Sequence, residues 1–157
     1  MRKSSYTLLY YIGLVTLLVC SSCDNKTTYS RYQHVSIAGW EKNDALSYDI
    51  PPMKQDGTFQ KSIGVRISSD YPFMGLTLVI EQQLFPSMDC HYDTLTCNLI
   101  DNEGNAIGQG VTLYQYHFPI DTIVLHKGDS LSIRIRHDMK REILPGVADI
   151  GVMLTKQ

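Results

Sequence analysis

The chain has 157 residues, of which 43% are hydrophobic and 19% are charged, and its formal net charge is -2. This length fits one domain. The apolar content excludes an intrinsically disordered chain, and the nearly balanced charge gives no reason to expect binding to nucleic acid. Four cysteines are too few for a small disulfide-dense scaffold, so the core must depend mainly on apolar burial.

The chain begins with a predicted secretory signal. Two basic residues precede an uncharged, mostly apolar run over residues 6–19. As a helix this run would span ~21 Å, which is short of the ~30 Å hydrocarbon core of a bilayer. Residues 21–23 then match a lipoprotein cleavage site, although Cys20 stands where Leu or Val is usual. We expect a lipoprotein signal peptide over residues 1–22 and lipidation of Cys23; ordinary secretion and a retained membrane anchor are the alternatives.

Removal of the signal would change the charge balance. The two basic residues that leave with it reduce the 14 basic residues to 12, against 16 acidic ones, which gives a formal net charge of -4. A mildly acidic surface further disfavours a phosphate backbone as a partner. Residues 23–28 are then predicted to be the lipidated cysteine and a short polar tether.

The rest of the chain alternates between apolar and polar residues, as half-buried strands do. The clearest runs are residues 63–67, 76–80, 95–99, 131–135 and 150–154. Weaker runs are residues 29–37, 46–50, 110–116 and 122–126. Turn residues separate them, as at 101–105 and 127–129. We predict an all-β fold, a single β-sandwich or jelly-roll-like domain over residues 29–157.

Two cysteines remain after the signal and Cys23 are assigned. In an oxidising compartment, Cys90 and Cys97 are candidates for a disulfide bond. Two buried or free thiols are the alternative, because Cys97 is in phase with the apolar residues of a predicted strand. Cys90 and His91 do not form a nucleophile–base pair, since neighbours on a strand point to opposite faces.

No motif indicates catalysis. The five histidines lack metal-ligand spacing, and the chain has no GxSxG, Walker or GxGxxG signature. The oxygen-rich segment 101–105 resembles a calcium loop in composition, but Gly104 comes too early for an EF-hand. We therefore predict no catalytic residues, no metal, no cofactor and no enzymatic activity.

Two groups of side chains are candidate interaction surfaces. Tyr114, Tyr116 and Phe118 share one parity. They either cover the core and its edge, anchor a protein interface, or stack on sugar rings. Arg134 and Arg136 share the face opposite the apolar residues of their strand. They are either an ordinary solvated face or a site for an acidic partner or the anionic bilayer surface.

Several segments, taken in order, resemble a known family. They are residues 21–23, Trp40, Asp70-Tyr71-Pro72-Phe73, the glycines at 104, 108 and 110, His137-Asp138-Met139, and Leu144-Pro145-Gly146-Val147-Ala148-Asp149-Ile150-Gly151-Val152. From about residue 23 to 154, the chain resembles the gliding-motility lipoprotein GldH family of Bacteroidetes. From the residues themselves, Gly151 predicts a close backbone approach, and Pro72 predicts a turn that sets strand entry.

This resemblance implies a membrane-anchored envelope lipoprotein that supports the gliding machinery of motile members, or envelope assembly and secretion in others. It implies protein partners in the envelope and no known enzymatic activity, and only the lipidated cysteine transfers, onto Cys23. No acidic cluster of the kind that marks surface-exported lipoproteins follows Cys23, so we expect the outer membrane, facing the periplasm. The alternative function is a carbohydrate- or peptidoglycan-binding lipoprotein, motivated by the sandwich and the aromatic row.

Overall fold

The computed structural model describes residues 26–157, which form strands and turns without a helix. The strands are β1 (Thr27–His34), β2 (Trp40–Glu41), β3 (Leu46–Ile50), β4 (Gly57–Ser68), β5 (Gly75–Phe85), β6 (Cys90–Asn98), β7 (Leu113–Leu125), β8 (Ser130–His137), β9 (Ile143–Leu144) and β10 (Val147–Lys156). The all-β prediction is confirmed. The predicted signal peptide and Cys23 lie outside the described residues, within which no helix has the length and apolarity to cross a membrane.

Two four-stranded antiparallel sheets form the sandwich. Sheet 1 has the strand order β1-β10-β4-β7, and sheet 2 has the order β3-β8-β5-β6. The short strands β2 and β9 pair only with each other. The Tyr48 hydroxyl of sheet 2 donates a hydrogen bond of 2.7 Å to the Ile150 carbonyl of sheet 1, which ties the two layers together.

Alternate residues of the central strands fill the space between the sheets. These buried side chains are Ile63, Val65, Ile67, Ile150, Val152 and Leu154 of sheet 1, and Leu76, Leu78, Ile80, Leu131, Ile133 and Ile135 of sheet 2. Burying one such side chain stabilises the fold by about 1.5–3 kcal/mol. The predicted alternation therefore commits one face of each central strand to the core and leaves function to the outer faces, the edges and the loops.

The five clearest predicted runs coincide with strands, and the weaker ones show one instructive difference. Residues 110–116 and 122–126 contribute to one long strand, β7, which passes through Pro119. A proline is tolerated there because β7 is an edge strand and its pairing with β4 is irregular beside Pro119, where the register shifts between Gln60 and Ser62. Strand β1 begins at Thr27, inside the predicted tether, because Thr27 pairs with Thr155 of β10.

The two ends of the sandwich carry different loops. The first end, which we call the amino-terminal end, holds Lys26, whose carbonyl accepts a hydrogen bond of 2.8 Å from the Lys156 amide. The loops 51–56, 86–89 and 126–129 lie at this end. The loops 69–74 and 99–112 and the segment 138–146 lie at the opposite end.

Candidate functional site

The aromatic row of β7 faces inward. Tyr114, Tyr116 and Phe118 pair with three buried residues of β4, and all three pack against the core. The Tyr116 hydroxyl donates a hydrogen bond of 2.8 Å to the Leu99 carbonyl. The Tyr116 ring stacks on Phe118 with 6.0 Å between ring centroids and 6° between planes. An open aromatic platform is therefore wrong for these residues, because their strand turns this parity toward the core.

The two cysteines do not form a disulfide. Cys90 is exposed, Cys97 is buried, and both thiols are free. They lie on one strand, β6, seven residues apart, which is ~23 Å of extended chain. A disulfide needs α-carbons within about 7 Å. Burial raises the pKa of the Cys97 thiol to about 12, so this thiol is a core group and not a nucleophile.

Arg134 and Arg136 do lie on an open outer face. They alternate with buried isoleucines on β8, in the middle of sheet 2. A groove of about 210 Å³ runs beside them on this face. Its other lining residues are Asn43, Ala45, Val79, Glu81 and Tyr92. We call this feature the arginine groove.

The charges of the arginine groove are only partly paired. Arg134 Nη1 lies 3.6 Å from Glu81 Oε2, and the Tyr92 hydroxyl donates a hydrogen bond of 3.1 Å to Glu81 Oε1. Among the residues that the structure describes, none forms an ion pair with Arg136. Tyr92 is 65% exposed. Tyrosine and arginine are the residue types that most often dominate binding energy at protein interfaces, so this composition is suited to docking.

The outer face of sheet 1 carries a polar cluster that the sequence analysis did not predict. Two adjacent rows cross all four strands: His34, Asp149, Arg66 and Gln115 form one, and Tyr32, Gly151, Gly64 and His117 form the other. We call these eight residues the polar seam. Strand register alone brings them together, from four separate parts of the chain.

Tyr32 lies flat across the two glycines of the seam. A Cβ at Gly64 would come within 2.1 Å of the Tyr32 hydroxyl oxygen, and one at Gly151 would come within 2.6 Å of the ring. The Arg66 guanidinium carbon lies 4.1 Å from the centroid of the same ring. The Tyr32 hydroxyl lies 3.2 Å from His117 Nε2. The close approach predicted at Gly151 is thus made by a side chain from the neighbouring strand.

Asp149 is the charged centre of the seam. Its side chain is only 6% exposed, with one oxygen 2.5 Å from His34 Nδ1 and the other 3.6 Å from Arg66 Nη1. Arg66 Nε also donates a hydrogen bond of 3.0 Å to Gln115 Oε1. These polar groups satisfy one another, so the seam has the properties of a structural network.

The two most specific segments of the family resemblance meet at the opposite end of the sandwich. Gly146 has φ +79°, and a Cβ there would lie 2.6 Å from the Cα of Tyr71. The Ser68 amide donates a hydrogen bond of 2.8 Å to the Gly146 carbonyl. The turn at 145–146 therefore packs directly on the chain around Tyr71, and both segments position the strand that carries Asp149.

The buried histidine is a packing residue. His137 is fully buried, its Nε2 donates a hydrogen bond of 3.0 Å to the Trp40 carbonyl, and its Nδ1 accepts one of 3.3 Å from the Met139 amide. Burial lowers the pKa of His137, so the ring is neutral. Within residues 26–157, no three His, Cys, Asp or Glu side chains are placed to hold a metal ion.

The oxygen-rich segment 101–105 is a self-bonded turn. Asp101 Oδ1 accepts hydrogen bonds of 2.9 Å from the Glu103 amide and 2.8 Å from the Asn105 amide. The hydrogen bonds from Asn105 hold the pKa of Asp101 below its usual range. The Asp101 carboxylate therefore stabilises the turn.

Solved structures are similar to this chain only at a low level. A 4-O-methyl-α-glucuronidase of family GH115 is 16% identical, with a TM-score of 0.46, over 87% of this chain and 18% of that chain. A family 35 carbohydrate-binding module from Clostridium thermocellum is 13% identical, with a TM-score of 0.40, over 82% of this chain and 93% of that chain. Similarities at this level assign no function.

Sequence comparison is more specific. The gliding motility lipoprotein GldH of Flavobacterium johnsoniae is 24% identical over 154 residues, covering 93% of this chain and 95% of that protein. A GldH homolog of Christiangramia forsetii is 23% identical over 155 residues, covering 93% and 94%. The family model described as GldH lipoprotein matches residues 27–154, which is nearly all of the sandwich. The chain therefore belongs to the GldH lipoprotein family.

Proposed function

We propose that the protein is a lipid-anchored, non-enzymatic accessory subunit that supports the gliding machinery or an associated envelope or secretion machine. Its family membership and the lipoprotein cleavage pattern before Cys23 support this role. The observation that carries the proposal is the arginine groove, an open Arg- and Tyr-lined surface, whereas the polar groups on the outer face of sheet 1 pair with one another.

Chain geometry supports a defined orientation on the membrane. Cys23 precedes Lys26 by three residues, so at 3.8 Å per residue the two α-carbons are at most ~11 Å apart. A lipid on Cys23 would hold the amino-terminal end of the sandwich close to the bilayer. The strands of sheet 2 would then extend from this end into the periplasm. The arginine groove on their outer face would remain open to periplasmic proteins. We place the anchor in the outer membrane, facing the periplasm.

The chemistry of the groove selects an acidic protein segment as its occupant. Arg136 has no ion-pair partner among the described residues, and Arg134 shares Glu81 with Tyr92. A carboxylate on a partner can accept two parallel hydrogen bonds from one guanidinium group. The exposed Tyr92 ring supplies apolar contact area beside the charges.

Replacement of the lipidated cysteine tests the anchor. We expect Cys23→Ala to move the protein from the membrane pellet to the soluble fraction and to abolish surface spreading or the associated secretion phenotype. Cys90→Ala is the matched control, because Cys90 is exposed and free. If Cys23→Ala remains in the membrane pellet and the phenotype is unchanged, the anchored role is wrong.

Purification of the lipidated protein from its own membranes tests the subunit role. We expect a defined set of envelope proteins to co-purify with the wild type and to be lost with Arg136→Glu. A solitary sugar-binding lipoprotein would give no such set. The aromatic row that motivated the carbohydrate alternative covers the core and does not support it.

A further inference from the structure

A lysine occupies a core position of β4. Phe59, Ile63 and Val65 point inward from this strand, and Lys61 has the same parity and is only 3% exposed. Its ammonium group donates a hydrogen bond to Gln82 Oε1 of sheet 2 and lies 2.9 Å from Asp121 Oδ1 of β7. Gln82 is also in a core position, so one polar residue from each sheet meets its counterpart inside the sandwich.

These two residues line a pocket at one side of the sandwich. The pocket has a volume of about 250 Å³ and lies between the edge strands β6 and β7, toward the amino-terminal end. Its polar lining comes from Lys61, Gln82, Asp89, His91 and Asp121, and the Cys90 thiol lies beside them. Its apolar wall comes from Leu84, Ile123 and Leu131.

Stability alone does not account for this lysine. Replacing a buried ion pair by apolar residues of similar volume is often neutral or stabilising. An ammonium group has three donors, and the described residues supply acceptors for two of them, on Gln82 and Asp121. The Gln82 amide nitrogen donates a hydrogen bond of 2.6 Å to Asp93 Oδ2, which fixes its carbonyl oxygen toward Lys61. Lys61 is thus held by one acceptor from each sheet while it lines the pocket.

The lining limits the class of ligand. Two carboxylates, on Asp89 and Asp121, line the pocket with one ammonium group, so an anionic ligand is disfavoured. A volume of about 250 Å³ is below the range of drug-sized ligands. Ammonium donors and carboxylate acceptors beside an aliphatic wall match a ring that bears hydroxyl groups at its rim and C–H groups on its face. We propose that this pocket binds one neutral pyranose ring of an envelope glycan.

This inference is independent of the proposed docking function. The pocket lies between the sheets, whereas the arginine groove lies on the outer face of sheet 2. If the pocket binds no sugar, the docking role of the arginine groove is unaffected, and the reverse also holds.

Ligand-observed NMR tests the proposal directly. The full lipoprotein is purified in a zwitterionic detergent without a sugar headgroup and titrated with methyl glucopyranoside, methyl galactopyranoside and N-acetylglucosamine. We expect saturable binding of at least one of them with a millimolar dissociation constant. Lys61→Met is expected to weaken binding at least tenfold, and also to lower the melting temperature, because it leaves the buried Gln82 Oε1 without its donor. Lys140→Met, an exposed lysine at the opposite end, is the control and should bind normally.

Asp121→Asn supplies a second variant if Lys61→Met does not fold. The Asp121 side chain is 45% exposed, and asparagine has nearly the same shape as aspartate. This variant should also weaken binding. Absence of saturable binding by all three sugars would overturn the proposal, as would unchanged affinity in both variants. Tighter binding of glucuronate than of methyl glucopyranoside would contradict the proposal that the ligand is neutral. Binding of glycerol with the same affinity as the sugars would contradict the proposal that the pocket recognises a pyranose ring.

Discussion

The outer faces of the two sheets use the same kinds of side chain to opposite effect. On sheet 1, the arginine, histidines, tyrosine and aspartate of the polar seam satisfy one another across four strands. On sheet 2, the arginine groove leaves Arg136 without an ion pair among the described residues and Tyr92 largely exposed. A dense polar cluster therefore does not by itself mark a binding surface, because its groups can pair with one another within the fold.

The largest effect on stability is expected at the glycines that lie beneath the Tyr32 ring in the polar seam. Gly64→Val would push the Tyr32 ring off the sheet and separate it from Arg66. We expect a loss of about 1–3 kcal/mol in the free energy of unfolding, which is typical of overpacking. Urea denaturation of the lipoprotein in detergent measures it. Ser62→Val, on the same face of the same strand, is the control and should stay within about 0.5 kcal/mol. Equal stability of both variants would contradict the closed-seam account.

The next effect is expected at the charged centre of the seam. Asp149→Asn removes the carboxylate that His34 and Arg66 share. We expect a loss of about 1–2 kcal/mol, below the value for a fully buried pair because His34 is almost fully exposed and Arg66 is about one third exposed. Asp138→Asn is the matched control, since Asp138 is half exposed and lies 4.0 Å from Lys42. A similar loss in both variants would show that the seam is no more than a set of surface charges.

A pH-dependent effect of similar or smaller size is expected on the inner side of sheet 2. Burial lowers the pKa of His137 in the folded protein, so the unfolded chain binds a proton that the native state does not. Stability should therefore fall as the pH falls below about 6.5, the usual pKa of histidine. Urea denaturation at pH 5 and pH 7 measures the slope. His137→Gln should flatten it and the exposed His126→Gln should not; an unchanged slope in His137→Gln would contradict the neutral buried ring.

The smallest effect on stability is expected in the arginine groove. Arg136→Ser removes an exposed side chain that has no ion pair among the described residues, so the free energy of unfolding should change by less than about 0.5 kcal/mol. The same variant should lose its co-purifying partners. A large loss of stability would show that the groove, like the seam, serves the fold.

Sequence alternation predicts most of this fold, because a half-buried strand must alternate. It misses β2 and β9, which have two residues each and are too short to show a period. It also misses the seam, since His34, Arg66 and Asp149 meet only through the register of three strands. The disulfide does not form because Cys90 and Cys97 lie at opposite ends of one extended strand, whose bounds the cysteine spacing alone does not reveal. Arg134 and Arg136 were placed correctly on an outer face, as their parity indicates.

Site-specific photocrosslinking in living cells shows whether the arginine groove contacts a partner protein. A photoreactive phenylalanine replaces Tyr92 in the arginine groove, and a second variant carries it at Ser30, on the outer face of sheet 1. We expect a discrete crosslink to an envelope protein from position 92, its loss when Arg136→Glu is added, and no discrete crosslink from position 30. Absence of a crosslink from position 92, or one that persists with Arg136→Glu, would contradict the claim that the open face of sheet 2 docks an acidic partner.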